Sequence, residues 1–470
     1  MIRLDFGTLA ERVGGRLLNM SFKNEAFEGV SIDSRTVSPR QLFIAIKGER
    51  TDGHKFVADA LAKGAAGLMV SEHNFNSANI KIKSPMIVVS DTHHAMINLA
   101  SGYRRELSTE FIAITGSNGK TTTKEIVYAI LASRCKQTYR SPGNLNNLYG
   151  LPLAIFAIPH DTKYGVFELG ISLPGEMTKL AEALQPDIAL ITNVSATHLG
   201  TLGTVQNVAE AKLELVDIMS PEKPIILNCD DTILMKAAGK RKRKYITYGI
   251  ESSADFRAKR IGISEEGFPT IEIDGSPVKI KLFGDHQAYN ILAGYALART
   301  LHIDIRPDEL NHIDYHFAPY RGEIENINGL TIIADCYNAN PVSMKSGLES
   351  FYAHLQNPAM KDKRGIAVIG DMLELGENSP EFHREIGKLL TRLNFPIALM
   401  IGSLSKDMYD AAIKTGSARD KVKHFDEVSD AGELLLNNVR KGDVIYFKAS
   451  RGIGLEKIIS LLRGSAFRQN

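Results

Sequence analysis

The chain of 470 residues contains no tryptophan and three cysteines. Cys135, Cys229 and Cys336 stand far apart and form no CxxC pair, which argues against a disulfide framework or a cysteine-built zinc site and fits a reducing compartment. No apolar run approaches the ~20 residues that a membrane span requires. The opening MIRLDFGTLAERVGG lacks the apolar stretch of a secretory leader. A charge excess is missing too: 56 Lys and Arg stand against 54 Asp and Glu. Nothing global therefore recruits nucleic acid or an anionic membrane, and the one basic run, KRKRK at 240–244, reads as a solvated turn. Solenoid-period repeats and low-complexity tracts are also absent. What remains is a cytoplasmic globular protein, and 44% hydrophobic with 23% charged residues suits one.

The length calls for two or three domains. Short β-type runs alternate with amphipathic helical stretches almost throughout, the signature of an α/β fold. Three blocks are expected: 1–107, with QLFIAIKG, AGLMVSE and PMIVVSD as strands; 108–318, opening on EFIAITG and ending in the helical HQAYNILAGYALARTL; and 319–470, with strands LTIIADC, GIAVIGD, PIALMIG, KVKHF and DVIYFKA. In the third block Ser379 and Pro380 read as the cap and first turn of a helix. Parallel sheets built this way place functional loops at the carboxyl ends of their strands.

The most informative stretch is FIAITGSNGKTTTKEI, 111–126. It departs from GxxxxGK[ST] because Ile114 stands where the first glycine belongs, leaving Gly116-x-x-Gly119-Lys120-Thr121. Its context is nonetheless that of a phosphate loop, with a strand running in and a helix running out. Glycines let backbone N–H groups turn toward phosphate oxygens, and the helix N-terminus adds a favourable dipole. Lys120 would hold the β/γ-phosphates and a threonine hydroxyl would join a Mg²⁺ shell. The plain alternative is a glycine turn with a surface lysine. KYGVFELG ends in Glu168 and DIALITNVSATHLG carries Asn193 and His198. A carboxylate at such a strand end is a natural Mg²⁺ ligand, although alone Glu168 reads equally as a structural acid and His198 as a loop histidine.

TVQNVAEAKLELVDIM shows helical periodicity, with Val205, Val208, Ala209, Val216 and Met219 on one face and Lys212 in its middle. Two readings fit: a lysine that snorkels to water, or a neutral amine with a desolvation-lowered pKa, open to covalent modification.

In order, TGSNGKTT, FELG, ITNVSATHLG, the lysine of EAKLEL and GDHQAYNILAGYALA resemble the central ATPase domain of the Mur ligases, which join amino acids to the growing peptide of bacterial cell-wall precursors. The resemblance spans essentially the whole chain. SIDSRTVSPRQLFIAIKGERTDGHKFVADALAKGAAGLMV is similar to the uridine-nucleotide-binding domain of members adding the third residue or the final dipeptide. IIADCYNANPVSMKSGLESF, AVIGDMLELGENSPEFH and SPGNLNNLYGLPLAIF resemble members acting at the final step, and the Asp-Asn-Pro-Arg usual in diaminopimelate-adding members is missing. The resemblance implies a three-domain architecture with a P-loop-type central domain and a Rossmann-like third domain. It further implies ATP-dependent addition of D-alanyl-D-alanine to UDP-N-acetylmuramoyl-tripeptide through an acyl phosphate. That reaction serves peptidoglycan synthesis, hence cell shape and division. A sister ligase adding a single amino acid stays open, as do a nucleotide-binding switch and a kinase using the same loop. The first block disfavours folate-polyglutamate and cyanophycin-type relatives.

Carried over by position, the resemblance implies that Gly116, Ser117, Asn118, Gly119, Lys120, Thr121 and Thr122 bind the triphosphate of ATP, with Thr121 near the metal. Glu168 and His198 match magnesium ligands, Lys212 the lysine that the family carbamylates, and Asn290 an adenine contact. Arg321 and Asp335 match residues that reach the γ-phosphate and ribose. Ser34 and Arg35 fall in the uridine-nucleotide motif, while Asn338, Asn340 and Asp371 are candidates for arranging the acceptor dipeptide. A monomer is expected. Departures from the family pattern are Leu213 and Tyr320 in place of glycines, Leu173 in place of a histidine, and Ala449 where KGSR reads KASR.

Overall fold

The computed structural model describes residues 1–49, 51–74 and 83–464. Three sheets organise the chain. The first has five strands in spatial order Arg16–Leu17, Met86–Val89, Gly67–Ser71, Leu42–Ile44, Val30–Ser31, parallel except at the Arg16–Leu17 edge. Its neighbour is a two-stranded antiparallel pair, Arg3–Asp5 with Ala26–Glu28.

The central sheet has nine strands. Strand Glu110–Thr115 lies between Tyr164–Glu168 and Ile188–Ile191, parallel to both. The chain thus leaves this strand toward one side and later returns on the other, creating a crevice beyond its carboxyl end. Register places Glu168 opposite Ile114 and Ile191 opposite Thr115, so both flanking strands stop level with the glycine loop. Beyond Phe256–Ile263 the sheet ends in an antiparallel hairpin. The third sheet runs Glu323–Ile327, Leu330–Ala334, Val444–Lys448, Gly365–Gly370, Ile397–Ile401, Val422–Phe425, antiparallel only in the first pair.

The strands are apolar on both faces because helices cover both, as parallel sheets require. One continuous core crosses from the first block into the central one. Leu99, Tyr103 and Leu107 of the helix Thr92–Glu106 and its end pack with Phe111, Phe156 and Leu184. Ile2 N–H donates to Phe156 O at 2.7 Å, and Arg104 reaches Leu184 O, Gln185 O and the Asp187 carboxylate. Two local expectations change. Ser379 does not cap its helix: it lies in the first turn of Ser379–Leu393 with Asn378 before it, and its hydroxyl pairs with His383 Nδ1 at 3.3 Å. The KRKRK run is not merely solvated. Arg241 pairs with Asp217 and Glu210, and Arg243 donates to Val216 O, Met219 O and Ser220 O at the carboxyl end of helix Val205–Ile218, where cations offset orphan carbonyls. Among the described residues, no helix is long and apolar enough to cross a membrane.

Candidate active site

The glycine loop is fastened from the strand-end segment beside it. Ser117 N–H donates to Asn193 O, Asn118 N–H to Asn193 Oδ1, and Thr192 Oγ1–H to Asn118 O at 2.6 Å. Two positions require glycine. At Gly116, φ is 148° and a Cβ would lie 1.9 Å from Thr192 Oγ1; at Gly119, φ is 79° and a Cβ would meet Asn290 Oδ1 at 2.4 Å. The helix Lys120–Ala132 starts directly behind the loop and is buried on nearly all sides. Ile114 is still inside the buried strand Glu110–Thr115, so the departure from GxxxxGK[ST] leaves the turn itself intact.

Lys120 Nζ donates to Gly116 O at 2.9 Å and Ser117 O at 3.3 Å, curling over its own loop. Burial lowers its pKa, Glu168 opposes that shift, and the Arg321 charge adds to it. Thr121 Oγ1–H donates to Glu168 Oε2 at 2.6 Å and Asn146 Nδ2 to Oε1 at 2.8 Å, which fixes a buried carboxylate beside the first helical turn. Among the described residues no three His, Cys, Asp or Glu side chains cluster as a ready metal cage. One hydroxyl and one carboxylate are, however, the kind of partial oxygen shell that Mg²⁺ completes with phosphate oxygens and water.

Lys212 lies behind this wall. Its side chain is buried, its ammonium has no hydrogen bond or ion pair among the described residues, and burial with the nearby Lys120 charge drives its pKa well down, against Glu168. The side chain as a whole is 2% exposed and so does not run out over the protein surface. His198, in left-handed backbone, follows the same strand end, with its Nδ1 2.8 Å from Glu374 Oε2 of the third block.

The third block closes the opposite side. Asp335 follows strand Leu330–Ala334 and accepts from Tyr446 Oη at 3.0 Å and Lys448 Nζ at 2.7 Å. The Arg321 guanidinium stacks over Tyr337 at 3.8 Å, and its Nε is buried without a partner, like Nδ1 of His286. Asn340 caps helix Pro341–Leu355 and donates through Nδ2 to Asn118 Oδ1 at 2.5 Å, bridging to the glycine loop.

These groups line one cavity of about 1030 Å³. It gathers Ser117, Asn118, Gly119, Lys120, Thr121, Thr122, Glu168, His198, Asn290, Arg321, Asp335, Asn338 and Asn340, and takes Glu49 and His93 from the first block. Gly116, Lys212, Ser34, Arg35 and Asp371 do not line it. Arg35 pairs with Asp33, lowering that carboxyl to about 2. Asp371 is buried and accepts from Leu404 and Ser405 N–H; burial nevertheless raises its pKa. Its carboxylate shapes a turn rather than the cavity.

Sequence reasoning missed Asn146, Lys124 and Glu374. Lys124, fully buried, holds Ser141 O and Gly143 O and so supports the loop carrying Asn146. The asparagine-rich NLNN segment signalled Asn146; nothing in one sequence pairs Glu374 with His198.

A strand-end phosphate loop with a fixed carboxylate, closed by a second α/β block supplying Arg321, Asp335 and Lys448, defines an ATP-dependent ligase. The Mur ligase middle domain matches residues 114–298, the Mur ligase glutamate ligase domain 321–451, and the Mur ligase family catalytic domain 26–104. The chain is similar to the UDP-N-acetylmuramoyl-tripeptide--D-alanyl-D-alanine ligase of Bacillus subtilis (strain 168), 35% identical over 463 residues and covering 98% of each chain. A ligase of the same name from Treponema pallidum (strain Nichols) is 32% identical, over 98% of this chain and 99% of its own. Among solved structures, MurF from Acinetobacter baumannii superposes with a TM-score of 0.86 at 26% identity, covering 99% of this chain and 100% of that one. MurF from Thermotoga maritima in complex with ADP gives 0.80 at 28%, covering 93% and 97%. The chain belongs to the Mur ligase family.

Proposed function

We propose that this chain joins D-alanyl-D-alanine to UDP-N-acetylmuramoyl-tripeptide at the expense of ATP, as a monomer in the cytoplasm. The observation that carries the reading is the single cavity uniting the phosphate loop, the Glu168 carboxylate and the third-block Asp335–Lys448 pair. The domains divide at 107/108 and 318/319. A carboxylate is a poor electrophile until one of its oxygens becomes a leaving group, and phosphorylation by the γ-phosphate supplies that. The dipeptide amine then attacks the acyl phosphate, and phosphate departs as the amide forms.

Bringing two anions together needs positive charge. Lys120 and Arg321 flank the phosphates, with Gly116 to Thr122 wrapping them. Asn290 faces adenine and Asp335 the ribose; Asn338 and Asn340 arrange the dipeptide, while Ser34 and Arg35 serve the uridine nucleotide. Thr121, Glu168 and His198 are the residues that would hold Mg²⁺, which when bound would neutralise charge on the phosphates and the substrate carboxylate. A neutral Lys212 amine would add to CO₂ and give up a proton to solvent, forming a carbamate that would supply two anionic oxygens toward the metal.

The departures fit this reading. Tyr320, where the family pattern has a glycine, lies in left-handed backbone at φ 64°. The Ala449 methyl is absorbed in the core, and only Leu173 alters the cavity wall. The test is phosphate release from ATP and UDP-N-acetylmuramoyl-tripeptide with and without D-alanyl-D-alanine. Release that needs the dipeptide is expected. Equal release with single amino acids would move the chain to a sister ligase, and release indifferent to any acceptor would make it a switch.

A further inference from the structure

The cavity wall carries His198 in left-handed backbone at φ 53°, and beside it in the third block stands Glu374, also left-handed at φ 65°. Such conformations persist where surrounding contacts over-determine them, and they gather at functional sites. The contacts here cross between blocks. Glu374 Oε2 lies 2.8 Å from His198 Nδ1, and Gly200 N–H points to Glu374 O at 3.5 Å. Gly376 approaches so closely that a Cβ on it would stand 2.9 Å from Gly200 Cα. Phe382, a few residues on, packs against the central and third cores together.

We propose that Glu374 is a positioning residue for His198, and that the 374–376 segment couples seating of the third block to readiness of the cavity. The inference rests on the ligase reading, in which His198 serves phosphoryl transfer. A neutral imidazole carries one proton, and a carboxylate at Nδ1 holds it there. Nε2 is then left with its lone pair and the ring with one orientation. When the segment lifts away, Nδ1 loses its partner and the ring is free to turn. The Glu374 side chain is 67% exposed, so the pair contributes little to stability and its worth lies in orientation.

The test follows the imidazole ¹⁵N signals of His198, assigned with His198→Gln, in protein bound to ADP and Mg²⁺. Wild type shows the proton on Nδ1. Glu374→Ala moves it to Nε2 and lowers kcat about 10-fold or more, with KM for ATP and the melting temperature little changed. Glu374→Gln, which keeps an acceptor oxygen, restores the tautomer and most of the rate. Gly376→Val, which blocks seating without touching the charge, reproduces the Glu374→Ala pattern. Glu374→Ala with a wild-type tautomer and rate overturns the proposal. Failure of the ligase reading looks different: wild type then releases no phosphate in response to dipeptide, while its tautomer still reports the Glu374 contact.

Discussion

Replacing Lys212 by methionine separates the needs of folding from those of chemistry. The lysine side chain is buried, with a pKa lowered well below 10.5 by burial and the Lys120 charge. An unsatisfied buried polar group costs roughly 1–3 kcal/mol, while a Lys-to-Met exchange nearly preserves volume, with repacking costs under about 1.5 kcal/mol. Lys212→Met is therefore expected to unfold later than wild type at pH 7, while losing ligase activity. The pH dependence has a fixed sign. Because the folded-state pKa is depressed, the unfolded chain holds the extra proton between that lowered value and 10.5. Wild-type stability therefore rises with pH across this window, by about 1.4 kcal/mol per unit, and the methionine variant lacks that rise. Urea unfolding at pH 7, 8 and 9 in CO₂-free buffer measures both quantities. A less stable variant, or an advantage that does not shrink as pH rises, would refute the reasoning.

Other consequences are as specific. Gly119→Ala forces a Cβ against Asn290 Oδ1 in left-handed backbone, so ADP affinity by calorimetry should fall at least about 10-fold, about 1.4 kcal/mol or more, with the circular dichroism unchanged; wild-type affinity would contradict the loop assignment. Asp443 is buried and takes both oxygens to Arg364, at 2.6 and 3.0 Å, plus Arg440 N–H. Asp443→Ala should cost about 3–5 kcal/mol in urea unfolding, and a loss below about 1 kcal/mol would show the pair to be dispensable. Stripping CO₂ should lower dipeptide-dependent phosphate release, and added bicarbonate should restore it in wild type. Activity indifferent to CO₂ would remove the carbamate from the account.

The α/β class and most strands were legible because buried parallel strands carry continuous apolar runs, as in FIAIT and IIADC. The phosphate loop was legible because Gly116, Gly119 and Lys120 are local, contiguous and sterically demanding. Lys212 stood out as a polar residue in an apolar stripe, but only three-dimensional packing distinguishes a snorkelling chain from a sealed one. Asp371 misled because a conspicuous carboxylate after a strand can equally well cap a turn, and it does so with Leu404 and Ser405 N–H. The shared core of the first and central blocks was hidden because Thr92–Glu106 looks like any amphipathic helix until its partners, Gly150–Phe156 and Glu176–Leu184, are in place. Contacts between blocks, such as Asn118 with Asn340 and His198 with Glu374, join residues more than 170 positions apart. Sequence periodicity carries no information at that range.

The central claim is that ATP activates the peptide carboxylate before the amide forms. It is tested most directly by labelling that carboxylate of UDP-N-acetylmuramoyl-tripeptide with ¹⁸O and analysing the products of one reaction with ATP and D-alanyl-D-alanine. The account requires one labelled oxygen in the released phosphate and a pentapeptide product. Unlabelled phosphate, or phosphate without pentapeptide, would contradict it.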